Sequence, residues 1–231
     1  MLAVANGHQG TVELLIVYGN RLLDATDNRK RTALFRGAAF GQEACVHVLL
    51  EQEVSPTQRD IFGQTAFHIA AKSGQVAVLR SLLDMLENPA SVHDLTDKSG
   101  LTPLHWAAFA GQDAIVKVLL KHVNDTMPNS GFGDTPLHMS AGRGFFDVTK
   151  DLLDAIKDPT NINPHVCKEA DYWTPLHIAA ANQDRQIVKL IMDRLDVGKK
   201  NPKNRPGFAE LGSLTPYNVS LQNDIETNTS R

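Results

Sequence analysis

Residues 102–120 read TPLHWAAFAGQDAIVKVLL, and the rest of the chain follows from them. Thr102 has a side-chain oxygen suited to capping a helix. Pro103 falls on the first helical position, where its missing N–H leaves no bond unmade. Ala107 and Ala108 are small enough to let a second helix approach closely. Gly111 suits the left-handed turn that ends a helix. From about Asp113 to Lys121, Ile115, Val116, Leu119 and Leu120 form an apolar stripe at helical spacing. The stretch therefore predicts two short antiparallel helices, each apolar on a face that the pair alone cannot bury.

The same pattern returns along the chain. TALFRGAAFG begins at Thr32, TAFHIAAKSG at Thr65, TPLHMSAGRG at Thr135, TPLHIAAANQ at Thr174 and TPYNVSLQND at Thr215. Successive threonines are 33, 37, 33, 39 and 41 residues apart, a period of 33 with insertions after Leu83, Leu153 and Met192. The second halves recur as EACVHVLL, VAVLRSLL, DAIVKVLL, FDVTKDLL and RQIVKLIM, and GHQGTVELLIVYG is the back half of one more unit. Repetition at this period means stacking: each copy is the wall on which its neighbour packs.

Residues 97–120, DKSGLTPLHWAAFAGQDAIVKVLL, resemble the ankyrin repeat at nearly every signature position, and the resemblance extends over about residues 2–225. It implies an all-α solenoid of stacked helix-turn-helix units joined by finger-like β-turn loops. The organisation expected is one array over 1–231: a partial repeat at 1–23; repeats at 24–56, 57–93, 94–126 and 127–165; a repeat with an extended loop at 166–206; and a half repeat or cap at 207–231. Some positions depart from the pattern. Ala33 and Phe35 stand where proline and histidine are usual. Gln183 replaces the helix-ending glycine, at a cost of about 1 kcal/mol if it remains left-handed. Tyr217 and Asn218 replace leucine and histidine. Met1 has no capping threonine before it, so the chain reads as a piece of a longer protein with an apolar face at its first unit.

Composition and motifs argue against chemistry. Net charge is −3 with a pI near 6.3, and no apolar run reaches the length of a membrane span. Neither nucleic-acid binding nor membrane insertion is expected. Cys45 and Cys167 are too few for a disulfide framework, which favours a reducing compartment: the cytoplasm, or the nucleus given the basic run NRKR at 28–31. The sequons at Asn124, Asn218 and Asn228 read as chance matches. His68, His105, His138 and His177 occupy one repeat position; the resemblance implies that each bonds its own and the next unit's backbone. His165 and Cys167 lack the further ligands of a zinc site. Cys45 belongs to an apolar stripe. With no phosphate-binding loop, nucleophile motif or separable acid/base pair, the reading is non-catalytic, with no metal, cofactor or small-molecule substrate. A second basic run, GKKNPKNR at 198–205, reads as a solvated loop.

The resemblance places partner binding on the finger tips and the groove face of the first helices. At those register positions stand Arg29, Arg31, Phe40, Phe62, Lys72, Leu101, Phe109, Phe132, Arg143 and Trp173. The aromatic and leucine residues among them are expected to be exposed, and such apolar exposure marks interaction surfaces. Trp106 fits either the groove or the core. The expected activity is that of a monomeric protein-binding module taking a helix or extended peptide; the alternative is a spacer or packing surface within a scaffold, channel or multidomain enzyme.

Overall fold

In a computed structural model the described residues are 1–19, 23–122, 128–157 and 173–197. The three sequons, His165, Cys167, the run at 198–205 and the unit beginning at Thr215 lie outside them. Helices come in pairs: α1 (Leu2–Ala5) with α2 (Gln9–Tyr18), α3 (Ala33–Phe40) with α4 (Glu43–Glu51), and α5 (Ala66–Ser73) with α6 (Val76–Asp84). Then follow α7 (Pro103–Ala110) with α8 (Asp113–Leu120), α9 (Pro136–Gly142) with α10 (Phe146–Ala155), and α11 (Pro175–Ala181) with α12 (Arg185–Val197). The first helices pack on one another in a row, α1 through α11, and the second helices form a parallel row behind them, α2 through α12. The chain is a two-layered helical solenoid of ankyrin type.

One continuous core runs between the layers. It is built from the small residues of the first row, such as Ala70, Ala71, Ala107 and Ala108, and the branched residues of the second, such as Leu79, Leu82, Ile115 and Leu119. Eight-residue helices are too short to persist alone; stacking between units supplies what each lacks. Cys45 is fully buried in this core, and burial pushes its thiol pKa up, so it is an apolar core residue and a poor nucleophile.

The helix ends follow the pattern residue by residue. Thr102 accepts a hydrogen bond at Oγ1 from the His105 backbone N–H, and the Thr102 N–H donates back to Nδ1 of His105 at 3.1 Å. Thr135 with His138 and Thr174 with His177 repeat the arrangement, a capping box with histidine in the usual glutamate place. Gly111 ends α7 at φ 70°. A Cβ there would stand 2.8 Å from the Phe145 ring, so both conformation and space require glycine. Gln183 holds the same position after α11 and stays left-handed at φ 58°, so the condition under which it costs stability is met.

Two local differences arise from the insertions. The residues added after Leu83 do not lengthen α6; they fold into a short 3-10 helix, Pro89–Asp94, capped by the Asn88 side chain, with Val92 buried against the core. The second helix of the last described pair is extended, with α12 running to thirteen residues.

Candidate functional site

The chain enters α3, α5, α7 and α9 through a tight turn, and in each one side chain organises it. Asp60 Oδ1 accepts from the N–H groups of Phe62 and Gln64, and Asp97 Oδ1 from those of Ser99 and Leu101, all at 2.9–3.0 Å. Asp27 holds Arg29 and Arg31 the same way, and Ser130 Oγ holds Phe132 and Asp134. Successive turns are tied edge to edge: the N–H of Ile61 donates to the Arg29 carbonyl, that of Lys98 to Phe62, and that of Gly131 to Ser99. The fingers therefore form a linked ribbon.

Histidine carries the link inward. His68 Nδ1 takes the Thr65 N–H at 3.0 Å, which leaves Nε2 to donate to the Leu101 carbonyl of the next unit at 3.1 Å. His105 reaches Asp134, and His138 reaches Trp173, in the same manner. Burial lowers the His68 pKa to about 3 and the His138 pKa to about 4, so both rings are neutral near pH 7 and act as structural ties. Among the described residues no cluster of three or more histidine, cysteine or carboxylate groups is arranged to hold a metal.

The sequence-derived surface residues divide into three groups. Phe40 and Phe132 are exposed, at 56% and 53%. Arg29, Arg31, Phe62, Lys72, Phe109 and Trp173 are half-buried, and Arg143 is exposed. Leu101 corrects the expectation of exposure: it is 3% accessible and joins the continuous core. Its N–H is held by Asp97 and its carbonyl by His68 and the Asp97 N–H, so its backbone is clasped on both sides and its side chain is turned inward. Asp134, at the same register, is also buried. Arg31 is likewise less free than its position suggests, because it pairs with Asp27 at 2.7 Å. Burial opposes ionisation of Asp27, but the hydrogen bonds from Arg31 and the turn N–H groups outweigh it and bring its pKa down to about 2.

Trp106 resolves toward the core and yet shapes the surface. It is 3% accessible, and its indole N–H donates to Asp97 Oδ2 at 3.0 Å, so a finger carboxylate fixes the ring at the base of the first-helix row. Lys72 Nζ stands 4.8 Å from the ring centroid. Phe109 meets Trp106 edge to face at 6.0 Å and 73°. Arg143 lies over Phe109 at 4.1 Å. The result is a ladder, Lys72–Trp106–Phe109–Arg143, crossing α5, α7 and the end of α9. Each rung is a favourable cation–ring or ring–ring contact. Arg29 over Phe62 at 5.9 Å is a smaller version on the fingers. The sequence register places Lys72, Phe109 and Arg143 on one face, but the ring contacts depend on Trp106 standing where Ile69 and Met139 occupy the neighbouring units. The pairing of Asp97 with Trp106, nine residues on, has a counterpart in Asp27 with Arg36; that recurrence is the signal that could have found it.

These features define a repeat scaffold whose variable residues lie on one row of helices and its turns. The sequence model described as "Ankyrin repeats (3 copies)" matches residues 1–60, 54–128 and 122–203, and the chain belongs to the ankyrin-repeat family. Human inversin is 29% identical over 223 residues, covering 82% of this chain and 21% of that protein. Human transient receptor potential cation channel subfamily A member 1 is 27% identical over 228 residues, 96% of this chain and 19% of that protein. Alpha-latrotoxin-Lh1a of Latrodectus hasselti is 34% identical over 130 residues, 56% of this chain and 9% of that protein. The chain thus spans only a small part of these relatives' length. Ankyrin repeats are in general non-catalytic protein-interaction modules within larger proteins. No helix of the described residues is long and apolar enough to cross a membrane.

Proposed function

We propose that this chain is a non-catalytic module that binds a partner protein, as a helix or extended peptide, across the first-helix row and its fingers. The observation that carries the reading is the aromatic surface of that row. Phe40 and Phe132 face solvent, and Phe62 and Phe109 are half-buried with a cation over each ring. Aromatic residues beside arginine are the usual anchors of protein interfaces. With Leu101 removed from the set, the binding residues are Arg29, Arg31, Phe40, Phe62, Lys72, Phe109, Phe132, Arg143 and Trp173, on a monomeric array in a reducing compartment, the cytoplasm or nucleus. The test is a comparative capture from a cell lysate. Wild type and Phe62→Asp/Phe109→Asp are run side by side, with circular dichroism showing both folded. A partner held by the first and lost by the second is the expected result. Equal capture by both overturns the groove reading.

A second reading has its own observation. Leu2, Leu14, Val17 and Tyr18 are strongly exposed on the α1–α2 pair, the end face on which a further unit of the same kind would stack. A packing role inside a longer polypeptide fits that face. It predicts that covering the face raises stability while leaving partner capture by the first-helix row unchanged.

A further inference from the structure

The ladder on the first-helix row carries two cations that pair with no carboxylate among the described residues. Neither Lys72 nor Arg143 makes an ion pair with a carboxylate among the described residues, whereas Arg31, Arg36 and Lys117 all do. Each is instead held by a ring, Lys72 by Trp106 and Arg143 by Phe109. A ring fixes a cation in place but leaves its charge and its remaining N–H donors turned outward. Burial lowers the Lys72 pKa, and the nearby Arg143 charge lowers it further, so the two cations repel one another across the aromatic floor. The carboxylate that bonds to the ladder, Asp97, is occupied: its oxygens take the Ser99 and Leu101 N–H groups and the Trp106 indole. Among the described residues no carboxylate pairs with either ladder cation, and charge complementarity calls for one from a partner.

We propose that the Lys72–Trp106–Phe109–Arg143 ladder is a docking site for an acidic segment of a partner protein, whose aspartate or glutamate carboxylates bridge Lys72 and Arg143 over the two rings. The inference rests on the groove reading above and specifies its partner's chemistry. The planar guanidinium of Arg143 matches a carboxylate bidentately, and the Lys72 ammonium serves as a point charge beside it. Trp106 is buried beneath the cations, and the half-buried Phe109 offers an apolar contact to the aliphatic part of a glutamate side chain. A basic segment would meet two like charges, and a neutral one would leave the repulsion between Lys72 and Arg143 in place.

The test uses the full chain, labelled for amide and indole N–H spectra. The probes are a short blocked peptide of glutamate and serine with a single leucine, and its glutamine-for-glutamate counterpart. Saturable shifts at the Trp106 indole, Phe109 and Arg143 with the glutamate peptide alone are expected. They should weaken several-fold as salt rises to about 0.3 M, and Lys72→Gln/Arg143→Gln should bind about tenfold less tightly. Arg80→Gln/Lys150→Gln, on exposed second-row positions, should bind as wild type. Equal shifts at the ladder with the glutamine peptide would overturn the acidic preference and leave the groove reading standing. Shifts elsewhere, no saturable shift, or equal weakening by both double variants would overturn the site itself. Failure of the groove reading is seen separately, in the lysate capture by Phe62→Asp/Phe109→Asp. The peptide comparison on wild type needs no variant to fold.

Discussion

Acid should unfasten this array through two buried histidines. His68 and His138 have pKa values near 3 and 4 in the folded chain against the ordinary 6.5. Burial is the largest cause in both, and each ring's Nδ1 is already committed to accepting a threonine N–H. Because the folded pKa lies below the unfolded one, the unfolded state binds more protons as pH falls. Stability is therefore full above pH 6.5 and is lost on the way down, to about pH 3 for His68 and about pH 4 for His138. At pH 5 both rings are still largely neutral in the fold, so the loss is set by the unfolded value: about 2 kcal/mol per histidine, or about 4 kcal/mol for the two. Asp60 and Asp97 act in the opposite direction, since burial raises their pKa values and the fold gains protons there in acid. They are common to wild type and variant, and a difference measurement removes them. His138→Gln keeps a side chain that can accept the Thr135 N–H but cannot titrate. Urea unfolding followed by circular dichroism at pH 7 and pH 5 should show wild type losing about 2 kcal/mol more than His138→Gln over that interval. An identical loss in both proteins would refute the assignment of His138 as a neutral tie between units.

Two further outcomes test the helix ends. Thr32 Oγ1 is buried without a hydrogen-bond partner because Phe35 stands where the units beginning at Thr65, Thr102, Thr135 and Thr174 have histidine. Thr32→Val should therefore be neutral or stabilising by up to about 1 kcal/mol, whereas Thr102→Val, which abandons His105, should cost about 1–3 kcal/mol. Denaturant midpoints of the two variants should move in opposite directions or, at the least, far apart. Gln183→Gly replaces an exposed residue at φ 58° and should stabilise by about 1 kcal/mol, less the entropy that glycine adds to the unfolded chain; a lower midpoint would mean that the Gln183 side chain makes a contact worth more than the strain.

Ankyrin-type pairing of helices was fully legible in the sequence, because it rests on short-range rules repeated at a fixed period. Thr102 as cap, Pro103 at the first turn, Gly111 as the left-handed stop and Ile115, Val116 and Leu119 as the buried stripe each act within a few residues of their neighbours. The recurring histidine position was legible as part of the same register, whereas the sequence showed only that Gln183 replaces a glycine, and the structure shows that it stays left-handed. The fate of individual surface positions was not. Leu101 and Phe109 both stand at register positions expected to be exposed, yet Leu101 is drawn into the core, its backbone held by Asp97 and by the previous unit's His68.

The sequence by itself determined which residues end each helix, which line the core and which row carries variation, since periodicity encodes each of these locally. Only the tertiary structure decided what happens between units. The indole of Trp106 turns to Asp97, a lysine from one helix lies over that ring, and an arginine from another lies over Phe109. The two cation–ring contacts join residues 34 positions apart in different units, so their geometry is set by how one unit stacks on the next, and no repeat read alone contains it.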